Sequence, residues 1–222
     1  MDLQTTTPDE RRIVAIVPIG TLENAKSRLG GTLDAEERRD LVDTMVYRTI
    51  RAALQTPGLA ETLVVSPDRE AIDQAAFLGA RTIRQRGQGL NTGIKEARDD
   101  AIAGGADAIV ILPIDLPLIS PDAIAQLIAP LGVVGERPLV VLAPDRHGRG
   151  TNGLLLAPPD AIEPSFGGDS RRAHEACARD AGARYVELDG PLGLDLDTPE
   201  DFLLVEELAD EAAEVLETAD AG

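Results

Sequence analysis

Three aspartates occupy positions from which a sheet of parallel strands would present carboxylates at one edge. Asp115 follows the apolar run at 108–112 closely, where an aspartate is costly to bury unless it binds a cation. Asp195 and Asp197 alternate with leucines, so a strand-like segment would point both carboxylates the same way. Such an oxygen-only donor set suits Mg²⁺ that also holds phosphates. The pattern predicts a magnesium site, with a turn-forming Asp115 and a dipole-stabilising Asp197 as alternatives.

A cationic loop after the first apolar run is a second candidate. Pro18 ends that run, and the loop beyond it carries Lys26, one of the two lysines in the chain, close to Arg28. Two fixed cations beside backbone amides at the end of a strand suit an anionic ligand. No glycine-rich stretch precedes Lys26, so the loop is neither a Walker loop nor a dinucleotide fingerprint. A solvated surface loop is the alternative.

Small residues and hydroxyls mark a third candidate. Thr151 stands in a Gly-Thr-Asn-Gly run, and Gly167 and Ser170 come just before a predicted helix. Hydroxyls and free amides at a helix start form an anion cradle. Arg171 and Arg172 would add positive charge there, whereas an ordinary loop with an N-cap would leave the crowding of arginines unexplained.

Two histidines and an asparagine are weaker candidates. His174, on the same predicted helix, is interpreted as a structural residue rather than a base, and His147, in a polar turn, ranks below it. The side-chain amide of Asn91 suits contact with a nucleotide base or ribose, and equally suits the N-cap of the helix that follows.

Hydrophobic periodicity predicts the elements that must position these residues. Short apolar runs alternate with amphipathic stretches, which favours a mixed, mostly parallel sheet with helices on both faces and an antiparallel excursion in the second half. The predicted strands cover 13–17, 62–65, 80–83, 108–112, 139–143, 153–157 and 185–188. The predicted helices have caps at Asp34, Ser66, Asn91, Ser120 and Thr198, and one more covers 171–180. Ligands of such sheets bind at the carboxyl ends of the strands.

Composition narrows the class of protein. The 222 residues carry a net charge of −18 and are 43% hydrophobic, which predicts one folded domain over 1–222 with flexible ends at 1–11 and 215–222. The negative charge argues against partners such as nucleic acid or an anionic membrane. No apolar run is long enough to span a bilayer and no signal-peptide pattern is present, so a cytoplasmic location is expected. Cys177, the single cysteine, excludes an intrachain disulfide. A homodimer is left open.

Taken in order, the motifs resemble the guanylyltransferase family that builds the activated precursor of coenzyme F-420. The matching segments are AKSRL at 25–29, VVS at 64–66, LN at 90–91, LPIDLP at 112–117, GTN at 150–152, FGGDS at 166–170 and DLDTP at 195–199. Each segment is weak alone, but the ordered set is specific and covers nearly the whole chain.

The resemblance implies a glycosyltransferase-A-like, Rossmann-like nucleotidyltransferase fold. It also implies transfer of GMP from GTP to a phosphorylated three-carbon acid with release of pyrophosphate. Bacterial members use phosphoenolpyruvate and form enolpyruvoyl-2-diphospho-5'-guanosine, whereas archaeal members use 2-phospho-L-lactate. The alternatives are 3-phosphoglycerate, another acceptor such as a molybdopterin cofactor or a sugar phosphate, and a non-catalytic nucleotide-binding protein.

The resemblance also implies a role for each matching residue. It assigns acceptor binding to Thr151, Gly167 and Ser170, and the Mg²⁺ cofactor to Asp115, Asp195 and Asp197. For the nucleotide we predict contacts with Pro18, Lys26, Ser66 and Asn91, and for catalysis we predict that Lys26 and Arg28 neutralise the departing pyrophosphate. One position departs from the pattern, because Gly20 stands where many members carry a lysine. This departure leaves more of the triphosphate charge to Lys26 and Arg28.

Overall fold

Buried apolar runs form one seven-stranded sheet in the computed structural model, which describes residues 11–22, 31–133 and 137–205. The strands are β1 (Ile13–Pro18), β2 (Leu59–Ser66), β3 (Arg81–Arg84), β4 (Ala108–Ile111), β5 (Leu139–Pro144), β6 (Thr151–Ala157) and β7 (Arg184–Glu187). All seven strands were predicted, with bounds that differ by one to three residues at their ends.

The sheet is mixed, with the order β3-β2-β1-β4-β6-β5-β7. Only β6 runs antiparallel to its neighbours β4 and β5, and every other pairing in the sheet is parallel. The predicted mostly parallel sheet with an antiparallel excursion is therefore confirmed. Because β6 is reversed, its first residue lies at the edge of the sheet where β4 and β5 end.

Helices cover both faces of the sheet, as predicted. They are α1 (Ala35–Gln55), α2 (Arg69–Phe77), α3 (Leu90–Ala103), α4 (Pro121–Ile128) and α5 (Ser170–Asp180), and the helix α6 begins at residue 199. One apolar cluster packs α1, α2 and α4 against the sheet, and a second packs α3 and α5 against its opposite face. Alternate residues of β1 divide between the two clusters, as expected for a strand buried on both faces.

Capping explains where the helices begin and corrects two predictions. Asp34 forms the predicted capping box at the start of α1. Asp68, rather than Ser66, caps α2, and the Ser66 hydroxyl instead accepts the backbone N–H of Asp68. The predicted cap role of Asn91 is wrong, because α3 begins at Leu90 and its N-cap is Gly89, with a φ of 87°, two residues before Asn91. Gly89 adopts that left-handed conformation at no steric cost, which frees the Asn91 side chain for another contact.

Arg11 is the one residue of the ends predicted to be flexible that the structure describes, and it donates to the Leu131 carbonyl (2.8 Å). The other residues of those ends lie outside the described residues. None of the helices described is both long and apolar enough to cross a membrane.

Candidate active site

A cleft of about 600 Å³ opens at the edge of the sheet where β4 and β5 end and β6 begins. Its walls come from five separate parts of the chain: the start of α3, the loop after β4, the turn and strand start at 145–152, the 166–170 loop, and the segment before α6. Six residues predicted from sequence line it together: Asp115, Thr151, Gly167, Ser170, Asp195 and Asp197. His147, the weaker of the two histidine candidates, also lines it.

The aspartates meet because two chain segments pair at this edge. Leu196 donates its backbone N–H to the carbonyl of Asp115 (2.9 Å). Leu196 itself is buried against α1, while Asp195 and Asp197 on either side of it line the cleft. The period-two spacing of leucine and aspartate thus separates an apolar anchor from two carboxylates, as the sequence predicted.

Two residues that sequence reasoning did not assign to the site hold these carboxylates. Asn152 donates its amide to the Leu192 carbonyl (2.9 Å) and to the Asp195 carboxylate (3.4 Å). Asp201 accepts the backbone N–H groups of Asp197 (3.0 Å) and Thr198 (2.7 Å). The capping signal at Thr198 and Asp201 was readable, but its effect on Asp197 was not. No sequence signal joined Asn152 to Asp195, which lies 43 residues along the chain.

Electrostatic coupling ties the carboxylates together. Burial raises the pKa of the Asp195 carboxyl, the hydrogen bond from Asn152 opposes that rise, and the negative charges of Asp115 and Asp197 add to it. Mutual repulsion of this kind is relieved when a cation binds between carboxylates.

The donor set fits Mg²⁺ shared with a substrate rather than a ready-made metal cage. In the described part of the chain, no group of three or more His, Cys, Asp or Glu side chains is already arranged to hold a metal ion. Mg²⁺ does not require one, since it is commonly held by one or two carboxylates together with water and substrate phosphates. Coupled carboxylates facing an open cleft meet that requirement.

The predicted acceptor residues form a buried hydroxyl pair. Ser170, the first residue of α5, donates to the Thr151 hydroxyl (2.9 Å), and the Thr151 hydroxyl also contacts Nδ1 of His174 (3.1 Å). Gly167, three residues before Ser170, has a φ of 142°, a conformation that favours glycine, and a Cβ there would meet no atom within 4 Å. The loop therefore leaves open space beside the two hydroxyls.

His174 is structural, as predicted, and cannot serve as a base in this arrangement. The imidazole is fully buried, and its Nε2 accepts the backbone N–H of Ser165 (2.8 Å). Burial lowers the pKa of the imidazole to about 4, so the ring is neutral at pH 7. Both ring nitrogens are occupied, and the side chain does not line the cleft.

Asn91 supports the loop at 166–170. Its amide donates to the carbonyl of Phe166 (2.9 Å), and its side-chain oxygen accepts the N–H of the same residue (2.8 Å). This two-bond clamp on one residue holds the segment that leads into Gly167. Contact between Asn91 and a nucleotide stays a prediction.

The other predicted nucleotide residues lie away from this cleft or outside the described residues. Pro18 and Ser66 are buried, and neither lines the cleft. Lys26 and Arg28 belong to the segment 23–30, outside the described residues. Their contacts with a nucleotide and with pyrophosphate stay predictions.

The cleft is acidic, and the two arginines expected to add positive charge beside the hydroxyls, Arg171 and Arg172, do not line it. Arg171 is engaged by a two-bond ion pair with Glu187 (both 2.8 Å) and does not line the cleft. Arg172 is exposed and also lies outside the lining. Among the described residues, Arg149 is the one arginine or lysine in the cleft wall, where it lies 3.4 Å from the Asp169 carboxylate.

The chain is similar to guanylyltransferases along nearly its whole length. A family model described as "Guanylyl transferase CofC like" matches residues 13–210. Over 201 residues the chain is 43% identical to a phosphoenolpyruvate guanylyltransferase of Sphaerobacter thermophilus, covering 90% of this chain and 93% of that protein. It is 44% identical to one of Rubrobacter xylanophilus, with 87% and 93% covered. A 2-phospho-L-lactate guanylyltransferase of Methanocaldococcus jannaschii is 33% identical, with 86% and 81% covered.

Solved structures of nucleotidyltransferases have the same fold. A 4-diphosphocytidyl-2C-methyl-D-erythritol synthase of Anaerococcus prevotii has a TM-score of 0.61 at 10% identity, covering 90% of this chain and 96% of that one. A cytidylyltransferase of Leptospira borgpetersenii has a TM-score of 0.58 at 15% identity, covering 87% and 84%. At such identities the likeness concerns the fold alone, and it confirms the predicted nucleotidyltransferase fold.

The buried His174 makes stability depend on pH. The unfolded chain takes up a proton on this imidazole near pH 6.5, whereas the folded chain does so only near pH 4. The unfolded state therefore binds more protons between these values, and stability falls as the pH falls through this window. From pH 7.5 to 5.0, we expect the free energy of unfolding in urea to drop by roughly 2 kcal/mol more in the wild type than in His174→Asn. If the free energy of unfolding fell equally in both proteins, His174 would not be the group that makes stability depend on pH in this range.

Proposed function

The chain belongs to the CofC-like guanylyltransferase family, and we propose that it transfers GMP from GTP to phosphoenolpyruvate, giving enolpyruvoyl-2-diphospho-5'-guanosine and pyrophosphate. The observation that carries this proposal is the cleft in which the hydroxyl pair of Thr151 and Ser170 faces the carboxylates of Asp115, Asp195 and Asp197. One wall suits an anionic acceptor, and the other suits a metal-bound nucleotide phosphate.

The proposed reaction is an in-line displacement at phosphorus. An oxygen of the acceptor phosphate attacks the α-phosphorus of GTP, a new P–O bond forms, and the bond from the α-phosphorus to the bridging oxygen of pyrophosphate breaks. The attacking phosphate oxygen is already negatively charged, so no general base is needed. This agrees with the arrangement of His174, whose ring nitrogens are both engaged.

The acceptor wall works by positioning. Thr151 and Ser170 are held rigidly by burial at the start of β6 and the start of α5. The Gly167 backbone, clamped through Phe166 by Asn91, closes the cradle. We assign these groups to the acid, because neutral donors can bind an anion in an acidic cleft without cancelling its nucleophilic charge. Arg149 supplies the one fixed positive charge described in the wall.

The carboxylate wall would hold Mg²⁺ through Asp115, Asp195 and Asp197, jointly with phosphate oxygens of GTP. Bound Mg²⁺ would supply the positive charge that offsets repulsion between the two phosphates and stabilises the leaving pyrophosphate. The protein's part is to hold the carboxylates at one edge through the Leu196–Asp115 backbone bond and the Asn152 amide. Lys26 and Arg28 are proposed to neutralise the departing pyrophosphate.

The acceptor acid is proposed from the names of the relatives. Phosphoenolpyruvate is favoured because the relatives with that name are 43% and 44% identical. The second candidate is 2-phospho-L-lactate, the acceptor in the name of a relative that is 33% identical.

A panel of acids tests the acceptor. The protein is incubated with GTP, Mg²⁺ and phosphoenolpyruvate, 2-phospho-L-lactate or 3-phosphoglycerate, and the guanylylated product is identified by mass together with released pyrophosphate. We expect the highest kcat/KM with phosphoenolpyruvate. A higher value with another acid would overturn the acceptor assignment but not the guanylyltransferase chemistry. No product with any acid would overturn the proposed reaction as a whole.

Removing one carboxylate charge from the cleft tests the proposed metal site. We expect Asp115→Asn to lower kcat by about a hundredfold or more, because it removes a charge that acts on the transition state. The matched control is Asp160→Asn, the same change at an exposed position outside the cleft, which should leave kcat unchanged. Near-normal turnover of Asp115→Asn at saturating Mg²⁺ would rule out the metal assignment.

Removing the acceptor hydroxyl should affect one substrate only. Thr151→Val keeps the shape of the side chain but deletes the hydroxyl, so we expect KM for the acid to rise at least about tenfold with KM for GTP unchanged. Thr62→Val makes the same change at a buried position of β2 outside the cleft wall and serves as the control. Equal increases in both KM values would count against an acceptor role for Thr151.

A further inference from the structure

A buried chain of polar groups lies directly behind the acceptor wall. His174, Thr151 and Ser170 are exposed by 0%, 6% and 2%, respectively. Thr151 and Ser170 line the cleft, whereas His174 lies behind them. Any hydrogen bond that these three side chains donate to a ligand in the cleft must therefore come from the hydroxyl of Thr151 or Ser170.

The direction of the hydrogen bonds follows from one backbone group. The N–H of Ser165 can only donate, and it lies 2.8 Å from Nε2 of His174. That nitrogen must therefore carry a lone pair, and in a neutral imidazole the proton is then on Nδ1. Nδ1 faces the Thr151 hydroxyl oxygen at 3.1 Å, so His174 donates and Thr151 accepts.

A count of protons shows what remains for a ligand. The two hydroxyls have two protons and share one hydrogen bond, in which Ser170 donates to Thr151 (2.9 Å). The Thr151 oxygen then accepts from both His174 and Ser170, and its own proton has no partner behind the wall. If the bond between the hydroxyls ran the other way, the Ser170 proton would be the one left over. In either case one proton is available toward the cleft.

The opposite imidazole tautomer would remove that donor. With a lone pair on Nδ1, the Thr151 hydroxyl would donate inward to His174 and Ser170 would donate to Thr151. Both protons would then be used, and the hydroxyls would present only lone pairs to an anion. Lone pairs repel a phosphate or carboxylate, whereas a hydroxyl proton binds it.

We infer that His174 is a positioning residue for the acceptor, which turns the Thr151–Ser170 pair into a hydrogen-bond donor toward an anionic group of the acid. The inference rests on the proposed function for the identity of the ligand, but the direction of the hydrogen bonds does not. The Ser165 N–H selects the imidazole tautomer of His174. That tautomer decides whether the Thr151–Ser170 pair can donate a hydrogen bond toward the cleft, where the anionic group of the acid would bind.

A second role for His174 must be separated from this one. The imidazole also braces the loop before Gly167, by accepting the Ser165 N–H and by an edge contact with the Phe166 ring at 5.3 Å. If bracing were the whole role of His174, losing the brace would displace the loop and would by itself weaken acceptor binding. The test therefore has to remove one ring nitrogen's function at a time.

Two amide variants do so. Asn carries its amide group at the position of Nδ1, so His174→Asn can still donate to Thr151 but loses the acceptor for Ser165. Gln reaches the position of Nε2, so His174→Gln can still accept from Ser165 but loses the donor to Thr151. We expect His174→Gln to raise KM for the acid about tenfold or more with KM for GTP unchanged, and His174→Asn to stay within about threefold. In a Thr151→Val background, His174→Gln should have no further effect on that KM.

A larger effect of His174→Asn than of His174→Gln, or equal effects, would overturn the inference and leave His174 as a brace for the loop. The ¹⁵N chemical shifts of the wild-type imidazole provide a second test that needs neither turnover nor a folded variant. We expect a protonated Nδ1 and an unprotonated Nε2 at pH 7, and a protonated Nε2 would overturn the inference even in an active enzyme. If the tautomer is as expected but no acid is guanylylated, the failure lies in the proposed function.

Discussion

The reversal of β6 is the constraint on which the site depends. In a purely parallel sheet, only the ends of strands meet at the ligand edge, and Thr151 would lie at the opposite edge of the sheet. Because β6 runs antiparallel between β4 and β5, its first residues lie beside the loop that follows β4. This one reversal places the acceptor wall, with Thr151 and Ser170, beside the carboxylate wall.

Charge is organised differently on the surface and in the cleft. The net charge of −18 repels large polyanions, yet the proposed substrates are small anions. The cleft resolves this conflict by dividing its walls: carboxylates lie on the side that suits a metal-bound phosphate, and neutral donors with a single described arginine lie on the other. Arg171, which looked like a second cation for this site, is instead held by Glu187 outside it.

Supporting groups decide how the walls are held. Three polar side chains hold backbone or carboxylate groups of the site in place through hydrogen bonds: Asn152, Asp201 and Asn91. His174 acts in the same way on the hydroxyl pair. Asn152, Asn91 and His174 form hydrogen bonds to groups far along the chain, and in this way tertiary contacts fix the geometry of the site. The hydrogen bonds of Asp201 are local, to Asp197 and Thr198.

The alternation of strands and helices, the covering of both sheet faces by helices, and six residues of the cleft could be predicted from the sequence, because periodicity, caps and short motifs are local signals. Asp195 and Asp197 were readable for the same reason, since period two is a property of adjacent residues. Three outcomes required the folded structure: Asn91 clamps Phe166 rather than capping α3, Asn152 holds Asp195, and Arg149 rather than Arg171 lines the cleft. These outcomes depend on which distant group a polar side chain meets, and the register of β6 and the packing of α5 set that choice.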